Sequence, residues 1–179
     1  YGEYHNAFER LGEINPNYQF KYFTTNKEDR NGEILKIPLW LLDIDDFAFE
    51  KCSGLTSVSF SKGLKSIGIA AFYECVSLNS VVIPSSVKSI GGSAFSNCTG
   101  ELVMNSDIIE TNYSSSNYPT YNSSYWLYGS KFSKLTVGNT IETIGSHVFR
   151  GCSTLENVII PSDLVEIGSY AFYECSGLT

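Results

Sequence analysis

The chain has no apolar run of about 18 residues or more, which excludes a membrane-spanning helix on the usual criterion. It has no basic excess either: 12 lysines and arginines face 19 aspartates and glutamates, a formal net charge of −7. A phosphate backbone or an anionic bilayer is repelled by such a surface, so nucleic acid is not an expected partner. There is a single methionine and there are only two tryptophans and two histidines. His5 and His147 belong to different elements, and neither a Gly-x-Ser-x-Gly elbow, a phosphate loop nor a His-Glu-x-x-His helix occurs. No catalytic constellation, cofactor site or metal site is therefore expected. The N-terminus, Tyr1-Gly2-Glu3-Tyr4-His5, lacks an initiator methionine and a signal-like segment, which reads as a piece of something longer.

What is abundant is tyrosine, phenylalanine, serine and glycine, a mixture that favours strands and turns over long helices. These residues recur with a fixed step. Ala-Phe-x-x-Cys segments stand at Ala48-Phe49-Cys52, Ala71-Phe72-Cys75, Ala94-Phe95-Cys98 and Ala171-Phe172-Cys175, with Val148-Phe149-Cys152 as a near copy. Neighbouring copies are 23 residues apart, except that Cys98 and Cys152 are separated by 54, two repeat lengths and eight residues more. One degenerate repeat with an insertion fits that interval, over 99–138.

Other positions keep the same register. Isoleucine occupies 44, 67, 90, 144 and 167, and glycine follows it at 68, 91, 145 and 168. Leucine stands at 55, 78, 155 and 178, then valine at 58, 81 and 158, and proline at 38, 84 and 161. Alternation with period 2 before the proline marks a strand with one buried face. The glycine after isoleucine suits a backbone with positive φ. Ala-Phe-x-x-Cys is too short for an α-helix and reads as a 3₁₀ or single helical turn that carries Phe and Cys inward. A lone unit of this size cannot bury enough apolar surface to fold, so the units must stack, and stability comes from neighbour interfaces.

The unit Ile83-Pro-Ser-Ser-Val-Lys-Ser-Ile-Gly-Gly-Ser-Ala-Phe-Ser-Asn-Cys98 resembles the BspA-like class of leucine-rich repeats, and the likeness extends over roughly residues 34 to 179. The expected fold is a mainly β repeat protein: a right-handed leucine-rich-repeat solenoid with a parallel sheet, short 3₁₀ or helical turns and about six coils. Departures from the pattern are the degenerate middle repeat, and Ser61 and Gly138 in the proline slot. The resemblance implies a secreted or cell-surface protein, mostly bacterial, used for adhesion or for host and matrix contact.

Residues 1–33 do not obey the repeat and read as an N-terminal capping segment over the first coil, the alternative being the tail of a preceding domain. Leu178-Thr179 stops within its own repeat, and an uncapped end invites end-to-end self-association. In the degenerate repeat Phe132, Leu135 and Val137 take the Leu, Val and Ile slots, and Trp126 takes the Phe slot and hence belongs to the core. The five cysteines share one slot and read as a column of buried thiols rather than disulfides or a metal site. Asp43, Asp45 and Asp46 read as a solvated face or cap.

Two surfaces are candidates for binding an extracellular protein or glycan. On each strand the residues between buried slots must face outward: Lys36; Ser57 and Ser59; Ser80 and Val82; Val103 and Asn105; Lys134 and Thr136; Asn157 and Ile159. Small, mostly uncharged residues make a flat strip that suits contact with a protein or glycan. The insertion is the second candidate, because Tyr113, Tyr118 and Tyr121 among Ser and Asn resemble an antibody loop in makeup. A Ser-rich insertion that merely lets a degenerate coil bulge is the competing reading. The expected function is a non-catalytic binding module, with a structural spacer that presents another domain, or carbohydrate binding, as the alternatives.

Overall fold

The computed structural model describes residues 33–107 and 125–179. The segment 1–32 and the tyrosines Tyr113, Tyr118 and Tyr121 lie outside the described residues. In chain order the described strands are β1 (Glu33–Lys36), β2 (Asp43–Ile44), β3 (Leu55–Ser59), β4 (Ser66–Ile67), β5 (Ser80–Ile83), β6 (Ser89–Ile90), β7 (Thr99–Met104), β8 (Lys131–Val137), β9 (Thr143–Ile144), β10 (Asn157–Ile159) and β11 (Glu166–Ile167). One six-stranded parallel sheet runs β1-β3-β5-β7-β8-β10. The short return strands form a second layer in two pieces, β2-β4-β6 and β9-β11. The second layer is divided at the coil that carries the insertion. The arrangement is a β-solenoid in which strands one repeat apart become neighbours.

The core is a set of columns. Leu55, Leu78, Phe132 and Leu155 line up behind the sheet, and Val81, Leu102 and Leu135 lie beside them, each 2% exposed or less. Behind these runs a ladder of rings. Phe49 stacks on Phe72 at 5.1 Å, Phe72 on Phe95 at 5.2 Å, and Phe149 on Phe172 at 5.2 Å. Offset rings at such spacings gain more than their buried area alone. In the coil that carries β10 and β11, Ile160, Val165 and Ile167 are exposed.

Trp126 joins the two halves of the ladder, 6.0 Å from Phe95 and 6.5 Å from Phe149. It is fully buried, as its expected place in the core requires. Its backbone, however, is not in the Phe slot. The Phe95 amide donates to the Trp126 carbonyl, the bond that Ala71 and Ala171 accept from Phe49 and Phe149. Trp126 therefore holds the Ala position while its larger side chain reaches into the ring column. The turn from Tyr125 to Ser130 differs from its counterparts, with Gly129 taking a φ of 72°.

The Ala-Phe-x-x-Cys segments are linked β-turns instead of the expected 3₁₀ turns. Amide-to-carbonyl bonds close from Ala48 to Asp45, Glu50 to Phe47 and Cys52 to Phe49. Within this span Phe47 and Lys51 both have φ near 59°. A 3₁₀ run needs negative φ throughout, so two left-handed residues four apart break it. The same pair recurs at Ala70 and Glu74, Ser93 and Asn97, His147 and Gly151, and Tyr170 and Glu174.

The glycine expected to supply positive φ is not where the left-handed residues are. Gly68, Gly91 and Gly168 have ordinary φ and serve close approach instead. A Cβ on Gly68 would lie 2.4 Å from the Asp46 amide nitrogen, and one on Gly91 2.4 Å from the Ile69 nitrogen. Successive coils touch backbone to backbone at this corner. Glycine with positive φ is needed at Gly100, where the register of β7 on β8 shifts and φ is 86°.

All five cysteines are free and buried. The thiols of Cys75, Cys98 and Cys175 each donate to a phenylalanine carbonyl of another turn, Phe49, Phe72 and Phe149, all at 3.1 Å. In the degenerate coil Ser130 joins the column, its Oγ 3.6 Å from the Cys152 sulfur. The Cys98 thiol beside it, and burial, hold the Cys75 thiol far above its ordinary value.

Candidate binding surface

The outer face of the six-stranded sheet is organised by parallel register into two rows that cross the strands. The first row contains Ile34, Ser57, Ser80, Glu101, Lys134 and Asn157, paired in that order. The second contains Lys36 opposite Ser59, then Val82, Val103, Thr136 and Ile159, the last four paired in succession. Because side chains alternate along a strand, members of one row point the same way.

The two rows differ in chemistry. In the first, the Lys134 ammonium lies 3.2 Å from a Glu101 carboxylate oxygen, with serines on one side and Asn157 on the other. In the second, Val82 and Ile159 are about half exposed and flank the half-buried Val103 and Thr136. Val82, Val103, Thr136 and Ile159 make a largely apolar strip beside a row that is polar from Ser57 to Asn157. Ser57, Ser59, Ser80, Val82, Lys134, Thr136, Asn157 and Ile159 are thus gathered on one face. Asn105 lies beyond the end of β7, its amide donating to the Ile83 carbonyl.

A model of the BspA type leucine rich repeat region, in six copies, matches residues 21–124 and 120–179. The chain belongs to this family. As a BspA-type repeat protein it has the sheet expected of its class, and similar solved structures share that fold. A leucine-rich repeat protein from Eubacterium ventriosum superposes with a TM-score of 0.59 at 22% identity, over 80% of this chain and 43% of that one. One from Bacteroides ovatus gives 0.55 at 24% identity, over 82% and 35%. A leucine rich cell surface protein from Faecalibacterium prausnitzii gives 0.46 at 23% identity, over 83% and 47%. For the first two, at these identities, the likeness is one of fold, and the chain spans less than half the length of each of the three. No curated protein matches the sequence.

Two surface features of this BspA-type chain escaped sequence reasoning. Glu101 belongs to the first row, hidden by the bulge at Gly100 that displaces the degenerate repeat; its pairing partner Lys134 was the available signal. The second is a cluster on the turn side, where Tyr125, His147 and Tyr170 stack in successive coils and Arg150 lies between Tyr125 and Tyr173. His147 and Tyr170 are one repeat apart, one place before the Ala slot.

The acidic residues act as caps. Asp43 accepts from the Ser66 hydroxyl at 2.6 Å and Asp46 from the Ile69 amide at 2.7 Å. Each carboxylate thereby satisfies a group of the next coil. Among the described residues no group of His, Cys, Asp and Glu is placed to hold a metal ion, and no helix is long and apolar enough to cross a membrane.

Proposed function

We propose that the chain is a non-catalytic binding module of a secreted or cell-surface protein, making protein contacts, matrix proteins included, through the face of the six-stranded sheet. The observation that carries this reading is the row Val82-Val103-Thr136-Ile159: three aliphatic side chains and a threonine held in line by parallel register on the outer face, with Val82 and Ile159 about half exposed. The polar row beside it supplies hydrogen-bonding rim to a dry centre, the usual anatomy of a protein interface. The surface is preformed by the backbone, so binding orders little of it. The family supports the secreted or surface location, because adhesion and host contact are what the resemblance implies.

The test is solid-phase binding of the purified chain to immobilised collagen, laminin and fibronectin, repeated with Val82→Asp and Ile159→Asp. Both substitutions are on the solvent side and are expected to leave the circular dichroism spectrum unchanged. Binding should fall by about tenfold or more if the row is the centre of the contact. A folded chain that binds none of the three, or binds equally well with both aspartates in place, overturns the proposal.

A further inference from the structure

The outward side chains of β5, β7, β8 and β10 are complementary about the line between β7 and β8. In the first row Glu101 on β7 stands opposite Lys134 on β8, with 3.2 Å between the charged atoms. One strand further out on either side are two uncharged hydrogen-bonding groups, Ser80 on β5 and Asn157 on β10. In the second row Val103 stands opposite Thr136, and the same two outer strands contribute Val82 and Ile159, both about half exposed.

A twofold axis parallel to the strands, set above this face between β7 and β8, keeps strand direction and reverses strand order. It therefore lays each row on the same row of a second copy. Glu101 meets the second copy's Lys134, and Lys134 its Glu101. Val82 meets Ile159, Val103 meets the methyl of Thr136, and Ser80 meets Asn157. No like charges face one another in this arrangement, and each charge gains a second neighbour of opposite sign.

We propose that the sheet face pairs with a second copy of this chain about that axis, as a weak twofold dimer. The pairing rests on the reading of this face as a protein-contact surface, and names its partner. Two observations select a second copy. A twofold contact uses one patch twice, so the patch must complement itself, and a Glu–Lys pair placed symmetrically about the axis does so in charge. The second is net charge. At −7 two copies repel one another on average, yet here Glu101 and Lys134 cancel and the other six outward residues of the four strands carry no charge. Stable interfaces use roughly 20 to 30 residues a side, so a patch of this size gives a weak, exchanging dimer.

The test is sedimentation equilibrium of the purified chain from about 10 µM to 1 mM, the range of a weak contact. The unchanged chain should shift from monomer towards dimer over that range. Glu101→Lys and Lys134→Glu both alter solvent-side groups and should leave the circular dichroism spectrum unchanged. Each sets like charges against each other across the axis and should weaken self-association by about tenfold or more. An equimolar mixture of the two variants opposes unlike charges again and should associate as well as the unchanged chain, as should a single chain carrying both substitutions. The pairing is overturned if the chain is monomeric throughout, if either single variant dimerises undiminished, or if the mixture associates no more tightly than its components. A monomeric chain that binds matrix protein through Val82 and Ile159 would keep the sheet-face reading and remove the second copy. Charge-swapped variants that associate only when mixed, with no matrix protein bound, would uphold the pairing while the matrix-binding reading fell.

Discussion

Trp126 meets Phe95 edge to face, the ring centroids 6.0 Å apart and the planes at 76°. It is the sole aromatic link, among the described residues, between the N-terminal ring stack ending at Phe95 and the C-terminal one beginning at Phe149. Truncating Trp126→Ala leaves a cavity between the two stacks and should cost about 3–5 kcal/mol. Trp126→Phe should cost far less. It keeps a ring in the column and removes an indole N–H that is buried without a partner. Urea unfolding of both variants checks the order; equal losses would show that the aromatic link contributes nothing beyond volume.

Ser61 occupies the slot that proline fills at Pro38, Pro84 and Pro161. It is 6% exposed, and its hydroxyl is buried with no hydrogen-bond partner. Ser61→Pro removes that unsatisfied group and restricts the unfolded chain at a place where the fold accepts proline in three other coils. The gain should be about 0.5–1 kcal/mol, read as a higher melting temperature. A lower melting temperature would mean that this corner differs from its counterparts.

Much of this architecture is legible from the 23-residue step alone, because a column is nothing more than one slot repeated. Leu55, Leu78 and Leu155 announce their burial by spacing, and Ser57, Ser80 and Val82 their exposure by falling between buried slots. Three features resist that reading. The left-handed turns are invisible because Phe47, Ala70, Glu74 and Tyr170 are not residue types that mark positive φ. The repeating glycine misleads, since Gly68 and Gly91 answer to a neighbouring backbone that only the stacked coils bring close. The aromatic column is concealed because Tyr125 stands 22 residues before His147, off the repeat step, and so breaks the register that links His147 to Tyr170.

That inversion of glycine roles gives paired expectations of opposite sign. Gly91→Ala places a methyl 2.4 Å from the Ile69 nitrogen and 2.7 Å from the Gly68 carbonyl carbon, both backbone atoms that cannot swing aside. The substitution should cost about 3 kcal/mol, the upper end of the range of overpacked core sites. Glu74→Gly, at φ 58° and in the slot of Gly151, should be neutral or stabilising by up to about 1 kcal/mol, because left-handed strain outweighs the added entropy of glycine. Chemical denaturation of the two variants checks both. A tolerated Gly91→Ala would show that the coils can separate at this corner.

The thiol column predicts an alkaline limit to stability. The thiols of Cys98 and Cys175 respectively, together with burial, push those of Cys75 and Cys152 well above the ordinary range. In the folded chain these groups keep protons that the unfolded chain gives up. Their contribution is therefore complete below the ordinary thiol value of about 8.5 and declines as pH rises beyond it, by about 1.4 kcal/mol per pH unit for each fully protected thiol. Under reducing conditions the urea midpoint should hold steady from pH 7 to 8 and fall between pH 8.5 and 9.5 or so. A Cys75→Ala, Cys152→Ala variant should lose part of that slope, although it is less stable at neutral pH. An identical slope in the variant would place the alkaline sensitivity elsewhere and contradict the buried-column account of the cysteines.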